Sequence, residues 1–198
     1  MWAVVGLGNP GIQYAETRHN VGFLFVKTIA KNWKVKLRRR IYLSKAEYAD
    51  MNGKKVLIAL PQTYMNNSGA AVQAILTSGN VDPENLIVVY DDLDIPLGDI
   101  RVRKEGRAGS HKGMISIIDR IKTNCFPRIR IGIGPLKDDV DAAEFVLSPF
   151  AEDEKTKLEM SLPKAQDALN LILEGQIKQA MNKYNTRSRY ETEDTSVH

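Results

Sequence analysis

Apolar positions along the chain come in blocks whose spacing switches between two periods, and the switches predict the elements. Residues 1–7 are almost uniformly apolar and read as a buried strand, while Val21, Phe25, Ile29 and Trp33 recur at helical spacing and predict a helix over 21–33. Residues 44–51 and 54–60 predict two strands around Asn52-Gly53, a dipeptide suited to a tight hairpin, and Pro61 closes the second. An alanine-rich helix is predicted over 68–78, with Gly79 as its stop. Leu86 to Tyr90 is a continuous apolar run, as in a strand covered on both faces, and Asp91 follows directly. Residues 100–103 predict a short strand, 114–121 a helix, 128–133 a half-buried strand, 151 onward a long helix and 176–184 a short one. This alternation predicts the α/β class: a single domain with a twisted mixed, largely parallel β-sheet flanked by helices, its antiparallel part coming from the hairpin. The domain is placed at residues 1–186, and the polar stretch 187–198 is read as a flexible tail.

Composition narrows the class. With 198 residues, 43% hydrophobic and 26% charged, the chain is large and apolar enough for a core without metal or disulfide staples. Its one cysteine, Cys125, has no internal partner, which points to a reducing, cytoplasmic setting. No signal segment, no membrane-length apolar run and no CxxC or HExxH metal pattern is present. The net charge of +4 matters less than its distribution. Between Thr17 and Ala46 there are nine Lys or Arg residues and no acid. Arg101, Arg103, Lys104, Arg107 and Lys112 form a second basic group, while acids gather at Asp91, Asp92 and Asp94 and again from Asp138 to Glu154. Such asymmetry suits a polyanionic partner approaching from one side, and equally a solvated basic face.

The opening strand runs into Gly6-Leu7-Gly8-Asn9-Pro10-Gly11, and Thr17-Arg18-His19-Asn20 follows. The glycine string allows a dinucleotide loop or a hydrolase site. A dinucleotide loop needs a helix beginning inside it and an acid about 20 residues on. Here the helical pattern starts near Asn20, and Lys31-Asn32-Trp33-Lys34-Val35-Lys36 holds no acid. His19 is a candidate proton carrier. Asp91, at the end of a buried strand, is a candidate to fix its tautomer. Asp91, Asp92 and Asp94 are also compatible with a Mg²⁺ site or a plain acidic loop. Asn9, Asn20, Asn66 and Asn67 lie in loops or at helix starts, where asparagine caps helices or binds amide-bearing substrates. No GxSxG elbow is present and no histidine lies near Cys125 in sequence, so activation of water fits better than a covalent nucleophile.

Five ordered motifs resemble those of the bacterial peptidyl-tRNA hydrolase family. They are Val5 to Gly11 with Tyr14 and Thr17 to Gly22, Pro61 to Gly69, Asp91 to Gly98, Gly109 to Gly113, and Arg128 to Gly134. The resemblance implies hydrolysis of the ester between peptide and tRNA by a monomeric cytoplasmic enzyme without metal or organic cofactor, acting on peptidyl-tRNA and not at a membrane. It implies His19 as the base for water, Asp91 as its orienting partner and Asn9 as a contact to the peptide near the ester. Asn66 would bond the substrate near the reacting carbonyl, Tyr14 and Tyr64 would line the meeting place of tRNA end and peptide, and Met65 would pack beneath. Arg103 and Arg130, with Arg101, Lys104 and Arg107, would receive tRNA phosphates. The chain departs from the family at Lys112, where asparagine is usual, so no catalytic amide is carried over there and Lys112 is held as a substrate or tRNA contact. Tyr90 stands where histidine is frequent, and Lys137 is a displaced counterpart of a family lysine. Two other classes compete: an RNA-binding relative without catalysis and a nucleotide-dependent oxidoreductase.

Overall fold

A strand that is apolar on both faces needs cover on both sides, and β1 (Trp2–Gly6) has it at the centre of a seven-stranded sheet. The computed structural model describes residues 1–136 and 139–185, so the expected tail and Lys137 lie outside the described residues. The sheet contains β2 (Arg39–Ile41), β3 (Ser44–Met51), β4 (Lys54–Pro61), β5 (Leu86–Pro96), β6 (Ile100–Arg103) and β7 (Arg128–Gly134), in the order β2-β3-β4-β1-β5-β7-β6. Its centre is parallel, β1 pairing with β4 and β5, and β5 with β7. The edges are antiparallel: β2-β3-β4 on one side, β6-β7 on the other.

Alternate residues feed two apolar layers. Val4, Ile58, Ile87 and Ile131 pack beneath α1 (Val21–Asn32), α5 (Glu152–Leu173) and α6 (Ile177–Tyr184). Ala3, Val5, Leu57 and Val88 pack beneath α2 (Ser68–Ser78) and α3 (Lys112–Ile121). Each fully buried Leu, Ile, Val or Phe contributes about 1.5–3 kcal/mol relative to exposure, so these layers dominate the fold's stability. No helix of the described residues is long and apolar enough to cross a membrane.

Three features depart from the sequence-based reading. First, β5 does not end before Asp91 but continues to Pro96, with a register break between Asp92 and Pro96. The continuation lies on β7, where a Cβ on Gly132 would meet Pro96 O at 2.1 Å and one on Gly134 would meet Leu93 O at 1.9 Å. Glycines there let two backbones touch. Second, β2 and the six-residue helix α4 (Ala142–Leu147) were not expected. One is a three-residue exposed edge, the other under two turns, and neither is long enough to establish a period. Third, β6 adds a second antiparallel edge beyond the hairpin.

Candidate active site

The turn after β1 is shaped by close backbone packing. A Cβ on Gly6 would lie 2.1 Å from Gly22 O, and one on Gly22 would lie 2.4 Å from Val89 O. The start of α1 therefore sits directly on β1 and β5, fixed by Leu7 N donating to Val89 O (2.9 Å) and Phe23 N to Leu7 O (3.1 Å). Between them run two 3-10 turns, Ile12–Tyr14 and Arg18–Asn20, and no α-helix begins until Val21. The glycines thus serve strand–helix packing, and the first α-helix starts only at Val21 rather than inside the glycine loop, where a dinucleotide site requires it.

His19 lies in the second 3-10 turn, clamped on both sides. Asn20 Nδ2 donates to Asn9 O (2.9 Å), and Asn20 Oδ1 accepts from Asn9 N (2.8 Å). Arg18 Nη2 pairs with Glu154 at 2.6 Å, and its guanidinium lies 4.3 Å from the Phe145 ring centroid and 4.9 Å from that of Phe150. Arg18 N also donates to Ser148 O (3.0 Å).

Asp91 is 3% exposed on β5, beyond the point where Gly6 of β1 pairs with Val89. Its oxygens lie 2.8 and 2.9 Å from His19 Nδ1, and Oδ1 also lies 3.0 Å from His111 Nε2. Burial works to raise the Asp91 carboxyl, but the His111 and His19 rings outweigh it and hold the group well below the usual carboxylate range. An ionised carboxylate only accepts, so both ring nitrogens facing it carry protons. For His111 this is independently required: its Nδ1 caps α3 by accepting from Met114 N (3.2 Å), leaving the proton on Nε2. With Nδ1 committed to Asp91, the neutral His19 ring has Nε2 as its acceptor, and that atom has no hydrogen-bond partner among the described residues.

His19, Asp91 and His111 bring three ligand-type atoms within 4.8 Å of one another. The donor chemistry does not fit a metal there, because His111 Nε2 is protonated while its Nδ1 accepts from Met114. The acidic loop does not converge on one point either. Asp92 binds Arg130 Nε, and its Oδ1 accepts from Asp94 N (2.9 Å). The Mg²⁺ reading of Asp91, Asp92 and Asp94 is thereby corrected: each of the first two carboxylates is committed to a different partner.

His19 and Asp91 open into a cleft of about 970 Å³, which Asn9, Tyr64, Met65 and Asn66 also line. Asn9 Oδ1 accepts from Met65 N (2.8 Å). A backbone N–H can meet only the amide oxygen, so the Asn9 NH₂ is left for the cleft. Asn66 is exposed and does not cap α2, whose N-cap position is Asn67; Ser68 Oγ instead donates to Met65 O (2.8 Å). Tyr64 is 57% exposed and meets Tyr14 edge-on, with centroids 6.4 Å apart. Tyr14 stands beside the cleft lining rather than in it.

The other end of the cleft is basic. Arg103, Arg107 and Lys112 line it, exposed and without ion pairs among the described residues, alongside Glu105 and the Asp92-bound Arg130. Burial acts to lower the Arg130 guanidinium, but its hydrogen bond to Asp92 prevails and raises it. Lys112 opens α3, where the helix dipole disfavours a cation. Beneath this wall Arg128 is 1% exposed and meets carbonyls rather than acids: Gly106 O at 2.9 Å and Asn124 O at 2.8 Å. α4 closes one side through Ala142, Val146 and Leu147.

Sequence reasoning assigned no role to His111, Arg18 or Arg128, and left Asn20 between a helix cap and a substrate amide where it is a backbone clamp. Only His111 left a signal, since it immediately precedes a helical pattern.

The chain matches the family model described as peptidyl-tRNA hydrolase over residues 3–193. The peptidyl-tRNA hydrolase of Chloroflexus aurantiacus is 45% identical over 186 residues, covering 93% of this chain and 99% of that protein. That of Aquifex aeolicus is 46% identical over 182 residues, covering 92% and 95%. Among solved structures, peptidyl-tRNA hydrolase from Acinetobacter baumannii superposes with a TM-score of 0.86 at 34% identity, covering 92% of this chain and 93% of that one.

Proposed function

The chain belongs to the peptidyl-tRNA hydrolase family and is a hydrolase acting on peptidyl-tRNA, and from that premise we propose that His19 is its general base. In this reading the bare Nε2 of His19 takes a proton from water in the cleft. The hydroxide attacks the ester carbonyl, and the imidazolium returns the proton to the departing ribose oxygen. Asp91 keeps Nδ1 protonated and stabilises the imidazolium. His111 supplies a second donor that keeps Asp91 ionised. The free NH₂ of Asn9 and the unpartnered amide of Asn66 bond the peptide near the ester or the developing oxyanion. A positioned base is worth about 10²–10⁴ in rate, and an oxyanion donor about 10²–10³, enough for an activated ester without an acyl-enzyme. A substrate lacking a peptide amide leaves such donors unpaired, which is a source of selectivity.

The remaining assignments follow the same reading. Tyr14 and Tyr64 form an aromatic rim where the tRNA end and the peptide meet. Arg103, Arg107 and Lys112 attract phosphate, contacts that position without reading sequence. Arg130 has its charge partly answered by Asp92, and so contributes as a directed donor more than as a free cation. Residues 1–186 act as one domain, in a monomeric cytoplasmic enzyme that releases tRNA for reuse in translation.

The observation that carries the proposal is the His19 Nδ1–Asp91 pair at 2.8 and 2.9 Å beside a cleft lined by the amides of Asn9 and Asn66. It is tested by release of N-acetyl-aminoacyl groups from tRNA. Wild type is expected to turn over, and His19→Ala to bind tRNA equally while hydrolysing at least 100-fold more slowly. Binding without hydrolysis by the wild type would leave an RNA-binding protein instead.

A further inference from the structure

Of the two basic groups in the sequence, the proposed mechanism uses only the one around Arg103. The other, from Thr17 to Ala46, carries nine Lys or Arg and no acid. Two of the nine are neutralised: Arg18 by Glu154 and Arg39 by Glu47. The other seven, the first of them Lys27 and the last Lys45, are all exposed, and none forms an ion pair among the described residues. Arg40 on β2 stands directly opposite Lys45 on β3. Like charges in that position repel, and β2 is the outermost strand, so the pair faces open solvent. The fold thus carries a like-charge pair at this edge.

The position of this edge says what it faces. Gln62 N donates to Leu43 O at 2.7 Å, so the β2–β3 turn lies at the same end of the sheet as the Tyr64 rim. β5, which carries Asp91, is four strand spacings from β2 and two from β6. At about 4.8 Å per spacing these are roughly 19 and 10 Å. The reactive centre therefore lies between two basic edges.

We propose that the Arg40–Lys45 edge is a second phosphate-contact surface, holding the RNA body of the substrate whose 3′ end occupies the cleft. The inference rests on the reading of this chain as a peptidyl-tRNA hydrolase. It adds that the RNA is gripped on both sides of the cleft, by two groups separate in sequence. Charge complementarity selects the occupant. A surface of exposed cations outside ion pairs, whose neighbouring Glu47 is already taken by Arg39, suits a ligand with closely and regularly spaced charges, and the backbone of a nucleic-acid duplex is that ligand.

The test is charge reversal at the edge. Arg40→Glu alone converts a repulsive cross-strand pair into an attractive one, so thermal stability holds or rises while RNA binding falls. Arg40→Glu with Lys45→Glu is expected to weaken binding of deacylated tRNA about tenfold and to reduce the salt dependence of log Kd by about two phosphate contacts. KM for N-acetyl-aminoacyl-tRNA rises by the same factor with kcat unchanged, and an N-acetyl-aminoacyl ester of the CCA trinucleotide is hydrolysed as by wild type. Unchanged affinity and salt slope for tRNA would overturn the proposal, as would an equal loss on the trinucleotide ester. If the wild type hydrolyses neither substrate while the reversal still weakens tRNA binding, the surface stands and the hydrolase mechanism falls.

Discussion

The two ends of the cleft are built on opposite principles. At the reactive end the groups that orient the base are fixed: Asp91 accepts from two rings, His111 is held through both nitrogens, and the Asn9 backbone is clamped by Asn20. At the basic end Arg103, Arg107 and Lys112 are exposed and uncommitted. Chemistry that depends on which nitrogen holds a proton demands fixed geometry. Attraction of phosphate depends on charge and tolerates mobile side chains. Substitutions at the first end should therefore act on kcat with little salt dependence, and those at the second on KM with strong salt dependence.

The sharpest way to break this contrast is His19→Ala, expected to lower kcat by about 10²–10⁴ without changing tRNA affinity. Asp91→Asn comes next, with roughly a 10²-fold loss in kcat in a folded protein. Because the two act as a unit, Asp91→Asn added to His19→Ala should cost almost nothing further in single-turnover assays. His111→Asn separates capping from support of the carboxylate. Asparagine still caps α3 but its amide is too short to replace the ring at Asp91, so stability should change by less than about 1 kcal/mol while kcat falls roughly tenfold. Arg103→Ala and Arg107→Ala are expected to leave kcat intact, raise KM several-fold and lower the salt slope by about one each.

The smallest effect concerns acid. Asp91 is held below its unfolded value of about 3.9, so the unfolded chain takes up its proton first. The stability it contributes is full above about pH 4 and is lost as pH falls through the folded value. Urea unfolding should show the gap between wild type and Asp91→Asn shrinking as pH falls from 5 to 3. A gap that widens on acidification would contradict the assignment.

The pairing of His19 with Asp91 across 72 residues was legible because a polar residue closing an apolar run marks the active edge of a parallel sheet. What opens the cleft beside the buried Asp91 was not legible. β5 continues past it, and the opening arises because β1 ends at Gly6, a register relation between strands. Asn9 and Asn20 look alike in sequence, yet one offers its amide to the cleft and the other spends both amide atoms on the Asn9 backbone. Only the direction of hydrogen bonds separates them. Arg128 had no role in the sequence reading, because its carbonyl partners come from two loops and no local pattern announces that convergence.

Nitrogen-15 NMR of the His19 ring in the free protein at neutral pH tests the account most directly, because the mechanism requires one tautomer. A protonated Nδ1 with slowed exchange and an unprotonated Nε2, reverting to a mixture in Asp91→Asn, is the predicted result. A proton resident on Nε2 in the wild-type protein would contradict it.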